Sequence, residues 1–387
     1  MASKLELDNG TFFVRDIVDI QALDRGFFGN FPQAKKVLMR LAPEEALYLI
    51  DVRNATCETK NKTLSFNQVA QGFARAKKFL ARYFCYKDWR DRGLIARSIT
   101  EASGNYGASP LVKYPSHAYE APRVKAHALW FTDDLFSVID DEQQGRALYD
   151  EEWFGQYGTY KAKKHGRFTK LDAYETIFLA KHGGMKTSTP IAAIEKEARK
   201  RRKDFTSLYA VYEDWRMRGY VPKTGFKFGT HFRLYFPGAK PGGETDDWAH
   251  SKHVIHVFPR EERLLISEWA RAIRVAHSVK KTFILAIPGQ KKASDKAELD
   301  FLLFHREGDR AENPKNDKPK FAMLALSEEE EIGGAELAAA IEQAQSLGLD
   351  LILSICDRET SVTHYRVKRI ELPGAVFKYY EIEWIQP

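Results

Sequence analysis

Residues 270–287, ARAIRVAHSVKKTFILAI, align without a gap on residues 338–355, AAAIEQAQSLGLDLILSI, at a constant offset of 68. Ala270/Ala338, Ile273/Ile341, Ala276/Ala344, Ile284/Ile352, Leu285/Leu353 and Ile287/Ile355 trace a helix stripe that runs into a buried strand. The chain is therefore built on a repeated helix-then-strand frame, which restricts it to folds assembled from copies of one unit. The polar positions diverge: Arg274 faces Glu342, Lys280 faces Gly348 and Lys281 faces Leu349. A unit copied with its cations removed implies one active copy and one scaffolding copy.

A second repeat organises the front of the chain. RYFCYKDWRDRGLI at 82–95 returns as LYAVYEDWRMRGYV at 208–221, an offset of 126 that also carries Phe28-Gly29 onto Phe154-Gly155. RLAPEEALYLI at 40–50 resembles KLDAYETIFLA at 170–180 at an offset of 130, each a capped helix start with an apolar stripe. Four extra residues thus fall between Gly155 and Lys170, in a stretch that reads as an exposed basic loop with Lys161, Lys163, Lys164 and Arg167.

Three units follow. Residues 1–125 form a degenerate copy whose back half decays into the Gly/Pro/Ser-rich run EASGNYGASPLVKYPSHAYEAP. Residues 126–308 form a complete copy, with subdomains 126–205 and 206–308. Residues 309–387 repeat the back half alone, with a helix after Glu331 and strands at 349–356 and 361–370. REGDRAENPKNDKP at 306–319 is a linker or a protruding loop, and the two fragmentary units together supply one more whole copy. Helices alternating with β-branched strands and short hairpins predict an α+β fold rather than a doubly wound sheet.

Composition narrows the function. In 387 residues, 44% hydrophobic and 13% aromatic, there is enough apolar side chain for real cores. The formal charge of +7 favours a polyanionic partner. Cys57, Cys85 and Cys356 are far apart with no CxxC, which argues for a reducing compartment and no structural metal. The polar start MASKLELDNG shows no signal peptide, and no apolar run approaches the ~18 residues of a membrane span. The expectation is a soluble, cytoplasmic protein.

The chemistry is densest in GYVPKTGFKFGTHFRLYFPG at 219–238, where aromatic rings interleave with Lys223, Lys227 and Arg233. Such a surface suits unpaired RNA, stacking bases and holding phosphates. Downstream, His250, His253 and His256 recur every third residue. A strand would put His250 and His253 on opposite faces, so no metal site is expected. Tyr, His and Lys side chains remain, with no conspicuous carboxylate pair, GxSxG or phosphate-cradling loop. Three such groups suffice for a ribose 2′-OH to attack its own phosphodiester without metal. One removes the hydroxyl proton, one protonates the leaving 5′-oxygen and a cation steadies the charged phosphorane.

YEDWRMRGYVPKTGFKFGTHFRLY, AHSKHVIHV and RVAHSVKKTFILAI resemble the catalytic domain of the tRNA-splicing endonucleases, the archaeal tRNA-intron endonucleases in particular. The likeness is dense over 206–290, weaker over 125–205 and repeated in fragments at 12–95 and 320–372. It implies Tyr235 as general base, His250 as general acid and Lys281 as the stabilising cation, with Lys280 its rival. It further implies that Arg274 clamps a bulged base, with Arg306 as its partner. The implied substrate is precursor tRNA with bulge–helix–bulge motifs, cut without a cofactor to leave a 2′,3′-cyclic phosphate and a 5′-hydroxyl. The basic insertion with Lys161, Lys163 and Lys164 would hold RNA phosphates. The three-unit length resembles a type that pairs with itself, and two cuts per RNA from one site per chain favour a homodimer. An acidic loop would dock the partner, through Asp309, Glu312 and Asp317 or through the run at 328–331. The alternative is a non-catalytic RNA-binding structural subunit, against which the intact Tyr235/His250/Lys281 set argues.

Overall fold

The computed structural model describes residues 3–32, 38–60, 62–160, 165–242 and 249–387. Ten strands form its spine: β1 (Ile95–Ser98), β2 (Val221–Thr224), β3 (Phe232–Tyr235), β4 (His253–Val257), β5 (Thr282–Ala286), β6 (Phe301–Phe304), β7 (Phe321–Ser327), β8 (Asp350–Cys356), β9 (Val362–Glu371) and β10 (Tyr379–Ile385). They lie side by side in the order β2-β3-β4-β5-β10-β9-β8-β7-β6-β1, with Val112–Lys113 beside β9. Six helices matter here: α1 (Pro43–Val52), α2 (Phe79–Asp91), α3 (Ala173–His182), α4 (Phe205–Arg216), α5 (Ile266–Ser278) and α6 (Gly334–Ser346). Helices and mixed sheets make the fold α+β.

The central strands are apolar almost throughout because helices cover both faces. Along β5, Ile284 and Ala286 join a core with Leu208, Val211 and Trp215 of α4. Phe283 and Leu285 alternate to the other face, where they meet Ile273 of α5 and Ile341 of α6. The duplicated frame is now visible as structure. β4 runs parallel to β5 with α5 crossing between them, and β7 runs parallel to β8 with α6 crossing.

Front and back fragments of the chain share one core. Leu5, Phe12, Trp89 and Ala96 pack with Phe301, Met323 and Ile352, and β1 pairs with β6, Ser98 opposite Phe301. The sequence reading put Phe301–Phe304 at the end of the complete copy; it pairs instead with β1 and β7 of the other one. Nothing local in an apolar strand names its partner, and the open edge of β5 is filled by β10 from much later in the chain. Residues 306–319 are the loop that joins β6 to β7, tightened by Arg310 holding Asp317 through two 2.8 Å bonds.

The two copies meet at β9 and β10. Leu351 of β8 lies opposite Val367, as Phe283 of β5 lies opposite Ile382. Val367 and Ile382 hold equivalent places and also face each other, so a pseudo-twofold axis passes between them. Asp214 on α4 secures β10, accepting from Val376 N (3.0 Å), Phe377 N (3.2 Å) and the Tyr379 hydroxyl (2.7 Å). Across the axis Asp88 on α2 meets His364 Nε2 at 2.8 Å. Among the described residues no helix is long and apolar enough to cross a membrane.

Candidate active site

A buried acid positions the sheet edge in each copy. Glu175 accepts the backbone N–H of Gly155 at 2.9 Å, that of the N-cap residue Asp172 at 3.2 Å, and pairs with Lys223 of β2 at 2.6 Å. Glu45 does the same with Gly29 at 3.0 Å, Ala42 at 2.9 Å and Arg97 of β1 at 2.9 Å. These contacts fix β2 and β1 against their helices and leave the strands β3 and β6 alongside.

On β3, Phe232 and Leu234 enter the core, so Arg233 and Tyr235 share the opposite face. Arg233 Nη1 donates to the Tyr235 hydroxyl oxygen at 3.2 Å, and that hydroxyl donates to the Ala249 carbonyl at 3.4 Å. Burial pushes the Tyr235 hydroxyl up, while the Arg233 guanidinium and a hydrogen bond with Ser251 pull it down. His250 is exposed and borders with Tyr235 a hollow of about 450 Å³. Lys281 Nζ donates to the Ser251 carbonyl and, at 3.1 Å, to its hydroxyl, and lies 4.8 Å from the Phe228 ring centre. Burial and then Arg233 push the Lys281 ammonium down. Ala249 and Ser251, which flank His250 in the chain, thus hold Tyr235 and Lys281 on either side of it.

Lys280 is set apart. It ends α5 with φ +55° and is exposed, in the left-handed position that favours glycine at a helix C-terminus. Gly348, with φ +73°, fills that position after α6. The structure therefore turns Lys281 toward Ser251 and leaves Lys280 facing solvent.

The register shows what the other copy has lost. Val221 lies opposite Tyr235, and Ile95 opposite Phe304. Phe304 therefore holds the place of Tyr235, with the ring kept and the hydroxyl gone. Three residues before β7, Lys318 stands where His250 precedes β4, and Leu349 stands where Lys281 precedes β5.

The remaining expected residues are dispersed. Arg274 is exposed on α5. Arg306 is exposed beyond β6 and donates to the Arg92 carbonyl at 2.8 Å. Seven strand steps separate β6 from β3, roughly 30 Å at the usual strand spacing, so one chain does not bring Arg306 to Tyr235. Lys161, Lys163 and Lys164 lie outside the described residues. The three histidines also part. His256 is half-buried against Phe283 and His231, with ring centres 5.7 and 4.8 Å away. Neither of its nitrogens has a hydrogen-bond partner among the described residues, and burial pushes it down to about 3. His231 and His253 are pushed down to about 4, burial again leading. Ser251 escaped the sequence reading, since its only signal was a small polar residue between His250 and the strand.

Two family models match the chain: the tRNA intron endonuclease catalytic C-terminal domain over residues 205–297, and the tRNA intron endonuclease N-terminal domain over residues 3–70. The tRNA-splicing endonuclease of Methanopyrus kandleri is 34% identical over 150 residues, covering 37% of this chain and 80% of that protein. That of Hyperthermus butylicus is 31% identical over 166 residues, covering 41% and 88%. That of Methanococcoides burtonii is 30% identical over 172 residues, covering 43% of this chain and 46% of that protein. With its catalytic-domain match lying on β2 to β5 and the Tyr235 group, the chain belongs to the tRNA-splicing endonuclease family.

Proposed function

We propose that this protein excises introns from precursor tRNA, cutting bulge–helix–bulge-like motifs by attack of a ribose 2′-OH on the adjacent phosphodiester. Tyr235 takes the hydroxyl proton, His250 protonates the leaving 5′-oxygen, and Lys281 faces the charged phosphorane. The O2′–P bond forms as the P–O5′ bond breaks, leaving a 2′,3′-cyclic phosphate and a 5′-hydroxyl. The observation that carries this reading is that Tyr235 and Lys281 bond to Ala249 and Ser251, the two chain neighbours of His250. The reading needs no metal, because each proton and charge has a side chain assigned to it. The domain division follows the repeat: a catalytic copy within 126–308, less β6 and the residues after it, and a structural copy built from fragments within 1–125 and from β6 through 309–387. Arg274 grips a bulged base. Arg306 supplies RNA contact from the structural copy, and the Lys161, Lys163 and Lys164 loop holds phosphates. Two cuts per RNA call for a homodimer, near twice 44.4 kDa. Three buried free thiols suit a cytoplasmic setting.

The test is single-turnover cleavage of a bulge–helix–bulge RNA in EDTA, with the new ends typed by phosphatase and kinase. Cyclic phosphate and 5′-hydroxyl ends are expected; 3′-hydroxyl ends or loss of activity in EDTA refute the mechanism. Lys281→Ala is expected to stop cleavage and Lys280→Ala to weaken it only slightly. Light scattering checks the dimer.

A further inference from the structure

Phe226 is 88% exposed, on a short turn between Gly225 and Gly229. Two more exposed rings, Phe136 and Tyr160, border the same cleft, about 420 Å³, which opens beside Tyr235. Its wall includes Trp153, whose ring centre lies 4.5 Å from that of Tyr235. Lys227 and Arg233 make the rim positive, with Lys227 Nζ 5.4 Å from the Tyr160 ring centre. Asp172 also lines the cleft, and burial together with Glu175 pushes its carboxyl upward. Flat exposed rings, cations and a carboxyl edge form a surface for a heteroaromatic ring joined to a phosphate.

The structural copy supplies an internal control. The turn that follows β1, Ile99–Glu101, carries Ile, Thr and Glu where the turn after β2 carries Phe226, Lys227 and Phe228. Leu302 holds the register of Arg233. The corresponding hollow beside Phe304 is bordered by the chain's own Ser103, Asn105 and Tyr106. Scaffolding contacts such as Glu45–Arg97 survive in that copy, whereas the exposed turn rings and the cations at the places of Lys227 and Arg233 do not. The cleft is therefore not needed to hold the fold.

We infer that this cleft is a nucleobase subsite. It takes the unpaired base of the nucleotide adjoining the scissile phosphate and stacks it on Phe226. The subsite rests on the reading above that Tyr235 faces that phosphate. A stack of a base on an aromatic ring is worth roughly 5- to 150-fold in affinity. Phe226 is so exposed that its replacement does not threaten folding.

The test measures single-turnover kcat/KM on bulge–helix–bulge RNAs carrying an abasic residue at each bulge position in turn. Wild type is expected to lose roughly 5- to 150-fold at one position. Phe226→Ala loses a similar factor on the natural RNA and little more on that abasic RNA, Phe226→Trp restores cleavage, and the salt dependence of binding stays unchanged because no phosphate contact is removed. Losses that multiply at every position, or wild-type cleavage by Phe226→Ala, overturn the subsite. So does a Phe226→Ala protein that turns monomeric in light scattering while keeping the base dependence, since the cleft would then receive a second copy of the chain. A Tyr235→Phe control separates the two readings. If Tyr235→Phe is dead and Phe226→Ala is normal, only the subsite falls; if Tyr235→Phe cleaves normally, the catalytic reading falls.

Discussion

Glu175 and Glu45 make the same three contacts in the two copies, within a few tenths of an ångström, whereas Tyr235 and Phe304 share a register and differ by one oxygen. Arg216 over Phe154, at 3.9 Å, and Arg90 over Phe28, at 4.0 Å, are likewise a matched pair. The copies thus agree where a buried polar group must be satisfied and disagree where a side chain faces the site. A buried acid without its partners costs the fold directly. A missing phenol oxygen on an outward face costs it almost nothing. The structural copy records which residues the architecture requires, and the remainder points to chemistry.

The largest expected effect comes from erasing that one oxygen. Tyr235→Phe makes the catalytic copy match Phe304, and single-turnover cleavage should fall ~10²–10⁴-fold with RNA affinity retained. His250→Ala should fall by a similar factor. Cleavage within a few-fold of wild type in either variant would remove the functional difference between the copies.

Next comes the strand closing each half. Asp214→Ala leaves three donors of the β10 segment without their acceptor, at ~1–3 kcal/mol for each group left buried and unpaired. Asp88→Ala chiefly releases His364, whose other nitrogen keeps Ser354 at 2.8 Å. Urea unfolding should show Asp214→Ala as the more destabilised by about 2 kcal/mol or more; equal losses would mean the two clasps are equivalent.

The third contrast is acid sensitivity. His256 has Leu324 as its counterpart at the 68-residue offset. Its folded value of about 3 lies below the ordinary 6.5, so the folded state resists its protonation. This contribution is whole above pH 6.5 and lost as pH falls from there toward 3. His256→Leu should flatten the fall in unfolding free energy from urea titrations between pH 7 and pH 4, by about 1–3 kcal/mol at the acid end. An unchanged pH profile would clear His256 of the effect and leave it to His231 and His253.

The smallest effect sits at the helix end. Lys280→Gly imports Gly348's residue into the left-handed position and should stabilise the fold by ~0.5–1 kcal/mol, with cleavage nearly unaltered. A destabilised Lys280→Gly would show that the lysine makes a contact its exposure conceals.

The sequence made the helix–strand repeat legible because α5 and α6 span matching positions, Ile266–Ser278 and Gly334–Ser346. Tyr235, His250 and Lys281 were legible as types in a motif. The counterpart of Tyr235 was not, because the offset slips from 68 at β4/β7 to 69 at β3/β6, across loops that differ by one residue. Pairing of β6 with β1 left no local trace either, since nothing in FLLF or IARS marks the other as its partner and the partnership spans about two hundred residues. Chain order likewise suggested Arg306 as the partner of Arg274, and it could not reveal that the strand before Arg306 lies seven steps from β3.

The clasp between Asp214 and β10 also orders events during synthesis. Chains emerge from the ribosome front end first, at ~5–20 residues per second. β5 is made at residues 282–286, yet its outer neighbour begins at Tyr379. For roughly 5–20 s the nascent catalytic sheet carries a bare apolar edge, the kind of template on which chains aggregate. During that interval β6, β7, α6, β8 and β9 are added, and α2 and β1 already stand ready to receive them. The half that bears Tyr235, His250 and Lys281 is thus sealed only after the other half has been made.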